Sequence, residues 1–321
     1  MSVRLKESTM KSAIPILLIV LLLPSVALTA TIRVPGEHQY ISLAIDAAQN
    51  GDTVLVAPGT YYEPTGIGIF KKAVYVKSEG GPEVTTIQGV PMTVDGGCYA
   101  FAIRSTPGLC TIEGFTMRDH RAGSLRSEDF TIYVNSATVR IANNRFVSNK
   151  YSYVMEIWSS PSLEIEHNLF LDNTATVIHI YKATDVAISA NTFSNPDKWQ
   201  IYARTINGHI TISNNIIVDG FRGIVTSCPA ENITCICNDL WNNDINYDGT
   251  LTDQTGSNGN ISADPLFCGI PHSGNLYLQA TSPCAANVPP ARGAFFMGAY
   301  PTGCTVGVEE SSWGSLKKIF R

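Results

Sequence analysis

Five segments of this chain repeat one pattern: VRIANNRF (139–146), LEIEHNLF (163–170), VAISANTF (186–193), ITISNNII (210–217) and ITCICNDL (233–240). The asparagine at the sixth position of each segment recurs at steps of 24, 23, 24 and 23 residues. A large apolar side chain always follows it by two residues. A constant period of this length is typical of a solenoid, in which each coil buries its apolar face only against its neighbours.

Three short apolar strands in each repeat predict an all-β parallel β-helix with three sheets and coils of 23 residues. The second strand precedes the asparagine and the third follows it. The first strand is recognisable by its alternation in five successive coils: TIYVN (131–135), VMEIW (154–158), VIHIY (177–181), QIYAR (200–204) and GIVTS (223–227).

The recurring asparagines are predicted to form a buried structural ladder. An amide side chain both donates and accepts hydrogen bonds, and neighbouring coils lie about 4.8 Å apart, so each amide can bond the coils above and below. Asparagines exposed at turns are the alternative. The preceding coil has Phe115 at this position, so the ladder begins one coil later. Its members are Asn144, Asn168, Asn191, Asn215 and Asn238.

Size and charge limit the classes of function. The chain has 321 residues, of which 44% are hydrophobic, enough for a large core in a single solenoid. Only 15% are charged, and the formal net charge is -5. An acidic chain without a basic patch argues against a nucleic-acid partner.

The N-terminus has the pattern of a bacterial-type export signal over residues 1–30. Arg4, Lys6 and Lys11 precede or flank an apolar run of 11 residues, 13–23. This run is too short to cross a bilayer core of about 30 Å, and its length suits a cleaved signal peptide. We therefore expect a secreted or cell-surface protein with no membrane span after signal removal; a retained anchor is the alternative.

The remaining chain divides into three parts. Residues 31–263 are predicted to form the β-helix with an N-terminal capping helix, in which Ile41, Ala44 and Ile45 share one face. Residues 264–304, rich in Pro, Gly and Cys, are expected to be a C-terminal cap segment. Residues 305–321 form a tail predicted to be flexible, with docking to the cell surface as an alternative role.

Eight cysteines in an exported chain favour disulfides. Cys268 with Cys284 is the first candidate bridge, across a short loop, and Cys98 with Cys110 is the second. The other four cannot be paired from sequence. No CxxC pair is present, so no metal site is predicted.

The opening segment, ISLAIDAAQNGDTVLVAPGTYYE (41–63), resembles the start of secreted bacterial right-handed parallel β-helix proteins of the pectin-lyase-like superfamily. The closing segments DPLFC (264–268), LYLQ (276–279), SPC (282–284) and MGAY (297–300) resemble the end of the same proteins. This resemblance covers about residues 31–304. It implies a right-handed β-helix and, in the enzymes of the superfamily, a polysaccharide lying on the face of the first sheet. It is specific for fold and not for activity.

The outward residues of the first strands form two predicted columns on one face. Exposed rings beside acidic, basic and guanidinium groups suit the apolar faces and hydroxyls of a sugar chain, so this face is predicted to bind extracellular polysaccharide. Coverage of the rings by loops or by the C-terminal segment is the alternative. The predicted binding residues are Tyr133, Glu156, Trp158, His179, Tyr181, Tyr202 and Arg204, with Asn135 next to Trp158 in the second column.

A catalytic role is the second hypothesis, as a polysaccharide lyase or glycoside hydrolase with Glu156, His179 and Arg204 near the chemistry. Hydrolysis requires two carboxylates at a set separation, and no second acid stands beside Glu156. A pectate-lyase-like site would need clustered acids for calcium, and none accompanies Arg204. The sequence therefore favours binding without catalysis and predicts no cofactor, with calcium an unsupported alternative.

Overall fold

The chain folds as a parallel β-solenoid of about nine turns with almost no helix, as expected from the repeat. The structure is a computed structural model and describes residues 29–89, 99–120, 130–150, 152–196, 198–269, 274–288 and 296–304. The expected signal peptide, apart from its last two residues, and the tail lie outside these ranges, as does Cys98. All strand pairings between neighbouring coils are parallel.

Three faces surround the core, and we number them in the order in which each coil passes through them. Face 1 is formed by Ile67–Phe70, Phe101–Arg104, Phe130–Asn135, Arg222–Thr226, Ile245–Gly249 and the first halves of Tyr153–Glu166, Thr176–Ser189 and Trp199–Ser213. Face 2 is formed by Thr31–Val34, Thr53–Val56, Tyr75–Ser78, Leu109–Glu113, Thr138–Ala142, Ile233–Ile236 and the second halves of those three long strands. Face 3 is formed by Gly59–Tyr61, Thr85–Gln88, Thr116–Arg118, Arg145–Val147, Leu169–Leu171, Thr192–Ser194, Ile216–Val218 and Asp239–Trp241.

Hydrogen bonding joins faces 1 and 2 into one sheet of 14 strands, whereas face 3 is a separate sheet of 8 strands. The merger occurs because three strands continue around the corner between the two faces without a break. The predicted three-sided coil is therefore present, but two of its sides share one continuous sheet.

The core is built from the inward rows of each face. On face 1 most inward residues are β-branched or aliphatic and fully buried, as at Ile178, Ile180 and Ile201. On face 3 the rings of Phe146, Phe170 and Phe193 stack in one column. Their centroids are 4.9 and 4.7 Å apart, close to the coil spacing.

The predicted asparagines are buried at the corner between faces 2 and 3 and bond from coil to coil. The Nδ2 of each donates to the Oδ1 of the next at 3.2, 3.0, 3.0 and 2.9 Å along the series. The residue before each one has a positive φ, from 51° to 55°, and turns the corner. At the other end of the series, the Phe115 backbone N–H donates to Asn144 Oδ1. The column also continues to Asn260, which the sequence pattern did not include.

A second amide column occupies the next corner, at the end of face 3. Asn149 Nδ2 donates to Asn173 Oδ1, Asn173 Nδ2 to Asn195 Oδ1, and Asn195 Nδ2 to Gln200 Oε1, at 2.9, 2.9 and 2.8 Å. All four side chains are fully buried. Two corners of the coil are thus fixed by satisfied buried amides, which holds the faces in register.

A short helix, Ile41–Ala47, closes the N-terminal end of the solenoid. Ile41, Ala44 and Ile45 are buried against the first coils, as predicted. Glu63 accepts hydrogen bonds from the backbone N–H groups of Ile41 and Ser42 at the start of the helix. Lys72 donates to three carbonyls at its end. An acid and a base from the first coil thus match the two ends of the helix dipole.

The C-terminal segment, residues 264–304, runs along face 3 instead of simply closing the end of the coil. Leu276, Leu278, Phe267 and Met297 pack against outward apolar residues of that face. The backbone N–H of Ala299 donates to Thr192 Oγ1 at 2.9 Å. Across Leu169–Leu171, Thr192–Ser194 and Ile216–Val218, face 3 is therefore buried on both sides, and four of the outward residues there are apolar: Leu169, Leu171, Ile216 and Val218.

The disulfide assignment from sequence is wrong. Cys268 is bonded to Cys304, 36 residues away, which ties together the two ends of the segment on face 3. Cys284 is a buried free thiol that donates to Asp239 Oδ2 at 3.0 Å. Cys110 is a buried free thiol that points to the Lys72 carbonyl, and its predicted partner, Cys98, lies outside the described residues.

Candidate functional site

The outward side of face 1 carries the residues that the sequence predicted for binding. Register places Tyr133, Glu156, His179 and Tyr202 opposite one another on four successive coils. The column continues to Val225 and Asp248 on the next two coils. From Tyr133 to Tyr202 it spans three coil spacings, about 14 Å.

A second outward column presents exposed aromatic surface on this face. The rings of Trp158 and Tyr181 stack in parallel, with centroids 4.5 Å apart and 14° between their planes. The Arg204 guanidinium lies over the Tyr181 ring, 5.3 Å from its centroid. Trp158 is 45% exposed. An indole, a phenol and a guanidinium thus form one continuous strip across three coils.

Glu156 and His179 belong to the first column, beside this strip, and are largely buried. His179 Nδ1 is 3.6 Å from Glu156 Oε1, an ion pair when the imidazole is protonated. The imidazole is stacked between Tyr153 and Tyr202, with centroid distances of 4.5 and 5.2 Å. Among the described residues, neither ring nitrogen of His179 has a hydrogen-bond partner. The pair is present as predicted, but its groups face the two tyrosine rings, not open solvent.

Tyr153 is a residue of this site that the sequence did not reveal. Burial, and then the nearby Glu156 carboxylate, raise the pKa of the Tyr153 phenol. Two successive buried residues, Val154 and Met155, separate Tyr153 from Glu156 and interrupt the alternation of inward and outward residues. Simple alternation therefore did not identify it as outward, although aromatic residues at the equivalent position of three coils, Phe130, Tyr153 and Trp199, were a usable signal.

The N-terminal end of face 1 carries a further guanidinium on aromatic rings. Arg104 lies 4.9 Å from the Tyr133 ring centroid and 5.9 Å from that of Phe70. Asn135 Nδ2 donates to the Tyr133 hydroxyl at 3.2 Å. A register shift after Val134 pairs Asn135 with Ser159, so Asn135 is not opposite Trp158, contrary to the sequence prediction.

At the C-terminal end of face 1 an arginine again lies over an aromatic ring, but here an acid neutralises its charge. The Trp199 ring meets the Tyr202 ring edge to face, and Arg222 lies 5.2 Å from the Trp199 centroid. Arg222 also pairs with Asp248 at 2.5 Å. Trp199 and Arg222 are site residues that the sequence did not predict, and like Tyr153 they stand three residues before the main outward column.

Charged residues on face 2 form a separate, internally paired group. Arg140 contacts Glu166 at 2.5 Å, Glu113 at 3.4 Å and Glu164 at 3.9 Å. Tyr75 donates to Glu113. All three acids pair with the same arginine, so we interpret this group as a structural ion-pair network.

Two clefts of about 410 Å³ lie away from face 1, along face 3 and its corner with face 2. One is lined by Tyr300 and Ala299 of the C-terminal segment, and the other by Gly274. In the described part of the chain, no helix has the length and apolarity to cross a membrane.

The stacked coils, the amide columns and the open aromatic face define a parallel β-helix protein of the pectin-lyase-like type. The family model described as periplasmic copper-binding protein (NosD) matches residues 52–265. The chain belongs to this family. No curated protein matches the chain.

Two solved structures resemble the chain at low sequence identity. One is a mutant of the PL6 family alginate lyase AlyGC, with 12% identity and a TM-score of 0.37, over 75% of this chain. The chain spans only 41% of that lyase. The other is pectate lyase Pel9A, with 10% identity and a TM-score of 0.30, over 87% of this chain and 98% of that one.

The copper named in the family description requires a suitable set of donor atoms. Copper sites in proteins use imidazole nitrogens with cysteine or methionine sulfurs. Within the described ranges, no group of three or more His, Cys, Asp or Glu side chains is placed to hold a metal ion. Met155 faces the core, and His179 has only Glu156 beside it as a further potential ligand. The described residues therefore do not fit a copper site.

Proposed function

We propose that this protein is an exported β-helix module that binds an extended polysaccharide on the aromatic surface of face 1. The observation that carries the proposal is the exposed strip of Trp158, Tyr181 and Arg204. Flat rings offer apolar area to the C–H faces of sugars, and the guanidinium offers several donors to hydroxyl or acidic groups.

Faces 1 and 3 differ in whether another segment covers their outward apolar residues, and this difference supports the proposal. Both have apolar outward residues, but the C-terminal segment covers those of face 3. Trp158 and Phe70 on face 1 keep 45% and 47% of their surface exposed. A contiguous apolar surface left open beside charged groups is typical of a binding site.

The shape of the surface also suits a chain ligand. Small-molecule sites are usually concave, whereas face 1 is a flat strip that crosses several coils. Its stacked rings are held by the coil spacing and are ordered before any ligand arrives. Preordered rings reduce the entropy cost of binding.

A panel of neutral and acidic polysaccharides tests this proposal with the mature protein. Affinity electrophoresis reads binding, and assays for new reducing ends and unsaturated ends read cleavage. We expect retention by at least one polymer without new ends. Failure of every polymer in a broad panel to retain the protein would contradict the proposal.

A carbohydrate-active enzyme is the second candidate, and the pairing of Glu156 with His179 at 3.6 Å is the observation in its favour. Hydrolysis with two carboxylates needs them about 5–9.5 Å apart. Asp248 shares the column of Glu156 but lies four coils away, about 19 Å. New chain ends that disappear with Glu156→Gln, while polymer binding persists, would establish this candidate over simple binding.

Export is part of the same proposal. The family description names a periplasmic protein, and a polysaccharide ligand would be met outside the cytoplasm. Docking to the cell surface through residues 305–321 also stays a proposal, tested by comparing cell fractions of the full chain with those of a variant ending at residue 304.

A further inference from the structure

Two arginines on face 1 carry charge that no described acid neutralises. Arg104 lies over the rings of Tyr133 and Phe70, and Arg204 lies over the ring of Tyr181. Neither forms an ion pair with any residue in the described ranges, whereas Arg140 and Arg222 do. On a chain with a net charge of -5, two unpaired guanidinium groups on one face mark it for an anionic ligand.

The spacing of these charges restricts where the anions of the ligand lie. Strand pairing places Arg104 and Arg204 four coils apart, about 19 Å along the solenoid. Trp158 and Tyr181 fill part of the same interval with ring surface.

Resting on the proposed polysaccharide function, we infer that the ligand is an acidic heteropolysaccharide whose anionic groups are separated by neutral sugars. Anionic sugars meet Arg104 and Arg204, and neutral sugars lie on the rings between them. A polymer with a carboxylate on every sugar would also place carboxylates on the ring surface between the two arginines, where their desolvation costs binding free energy. This cost selects against such a polymer, whereas the arginines select for the sparse one.

Three polymers in affinity gels distinguish these ligands. Deacylated gellan carries one glucuronate in each repeat of four sugars, polygalacturonate carries a carboxylate on every sugar, and dextran carries none. We expect gellan to retain the protein most strongly, and this preference to weaken as salt is raised. The Arg104→Gln/Arg204→Gln variant should lose about tenfold in gellan affinity.

Arg33→Gln/Arg118→Gln is the matched control, because it removes two exposed arginine charges from faces 2 and 3. Its gellan binding should equal that of the wild type, and melting curves should show that all variants are folded. Polygalacturonate binding as tight as gellan binding, or unchanged gellan binding in the double variant, would overturn the inference. Retention by dextran without any preference overturns it but keeps the proposed function, and no retention by any polymer overturns both.

Discussion

The indole of Trp158 lies parallel to the ring of Tyr181, one coil away, with 4.5 Å between their centroids. This distance is close to the spacing of adjacent β-strands. The stack therefore follows from the solenoid itself, since residues at equal positions in successive coils are brought into contact. The same geometry stacks phenylalanines inside the core and amides at its corners.

The amide ladder is expected to be essential for stability. In Asn191→Leu, the backbone N–H and the Nδ2 of Asn168 lose their common acceptor, and the Ile165 carbonyl loses a donor. Each buried polar group left unpaired costs about 1–3 kcal/mol. We expect the free energy of unfolding to fall by several kcal/mol, measured by thermal and denaturant unfolding.

Asn207→Leu is the control for this substitution, because Asn207 is exposed. It should leave the melting temperature nearly unchanged. Equal melting temperatures for the two variants would show that the ladder amides contribute nothing specific to the fold.

Asp239 is expected to make stability depend on pH. Burial raises its pKa from 3.8 to about 6, although hydrogen bonds from Cys284 and Ala263 favour the charged form. Because the folded state binds this proton more tightly than the unfolded state, stability falls as pH rises from 3.8 to about 6. The shift corresponds to about 3 kcal/mol lost above that range.

Asp239→Asn isolates this effect from other titrating groups, since its amide stays neutral. The melting temperature of the variant minus that of the wild type should increase by several degrees between about pH 4 and pH 7. A difference that does not change with pH would mean that Asp239 titrates normally.

The disulfide between Cys268 and Cys304 is expected to hold the C-terminal segment on face 3. It closes a loop with a sequence separation of 36 residues, for which the chain-entropy estimate is about 3–4 kcal/mol. In Cys268→Ser, we expect faster proteolysis within residues 264–304 and more binding of a hydrophobic dye to the uncovered face. Equal proteolysis rates for the variant and the wild type would show that packing alone holds the segment.

Much of the fold was readable from the sequence because a solenoid converts sequence period into spatial contact. The spacing of Asn144 and Asn168 fixed the register, and the register placed Trp158 and Tyr181 on one face. The second amide column was partly visible too, as an asparagine four or five residues after Asn144, Asn168 and Asn191, at Asn149, Asn173 and Asn195. Its steps of 24, 22 and 5 residues are less regular than those of the first column, so it gave a weaker periodic signal.

Contacts made outside the repeat could not be predicted in the same way. Cys268 meets Cys304 because the C-terminal segment folds back on itself along face 3, and no periodic signal describes that path. Tyr153 stands on the outward side because two successive buried residues interrupt the strand alternation. Such irregularities depend on tertiary packing and appear only with the folded chain.

The double variant Trp158→Ala/Tyr181→Ala tests the binding surface most directly. Its affinity for a polysaccharide that retains the wild type, measured by isothermal titration calorimetry, should fall at least about tenfold, because the stacked rings are lost without loss of buried core. Tyr277→Ala, which removes an exposed ring from the C-terminal segment, should bind like the wild type. An unchanged affinity in the folded double variant would show that face 1 is not where the polysaccharide binds.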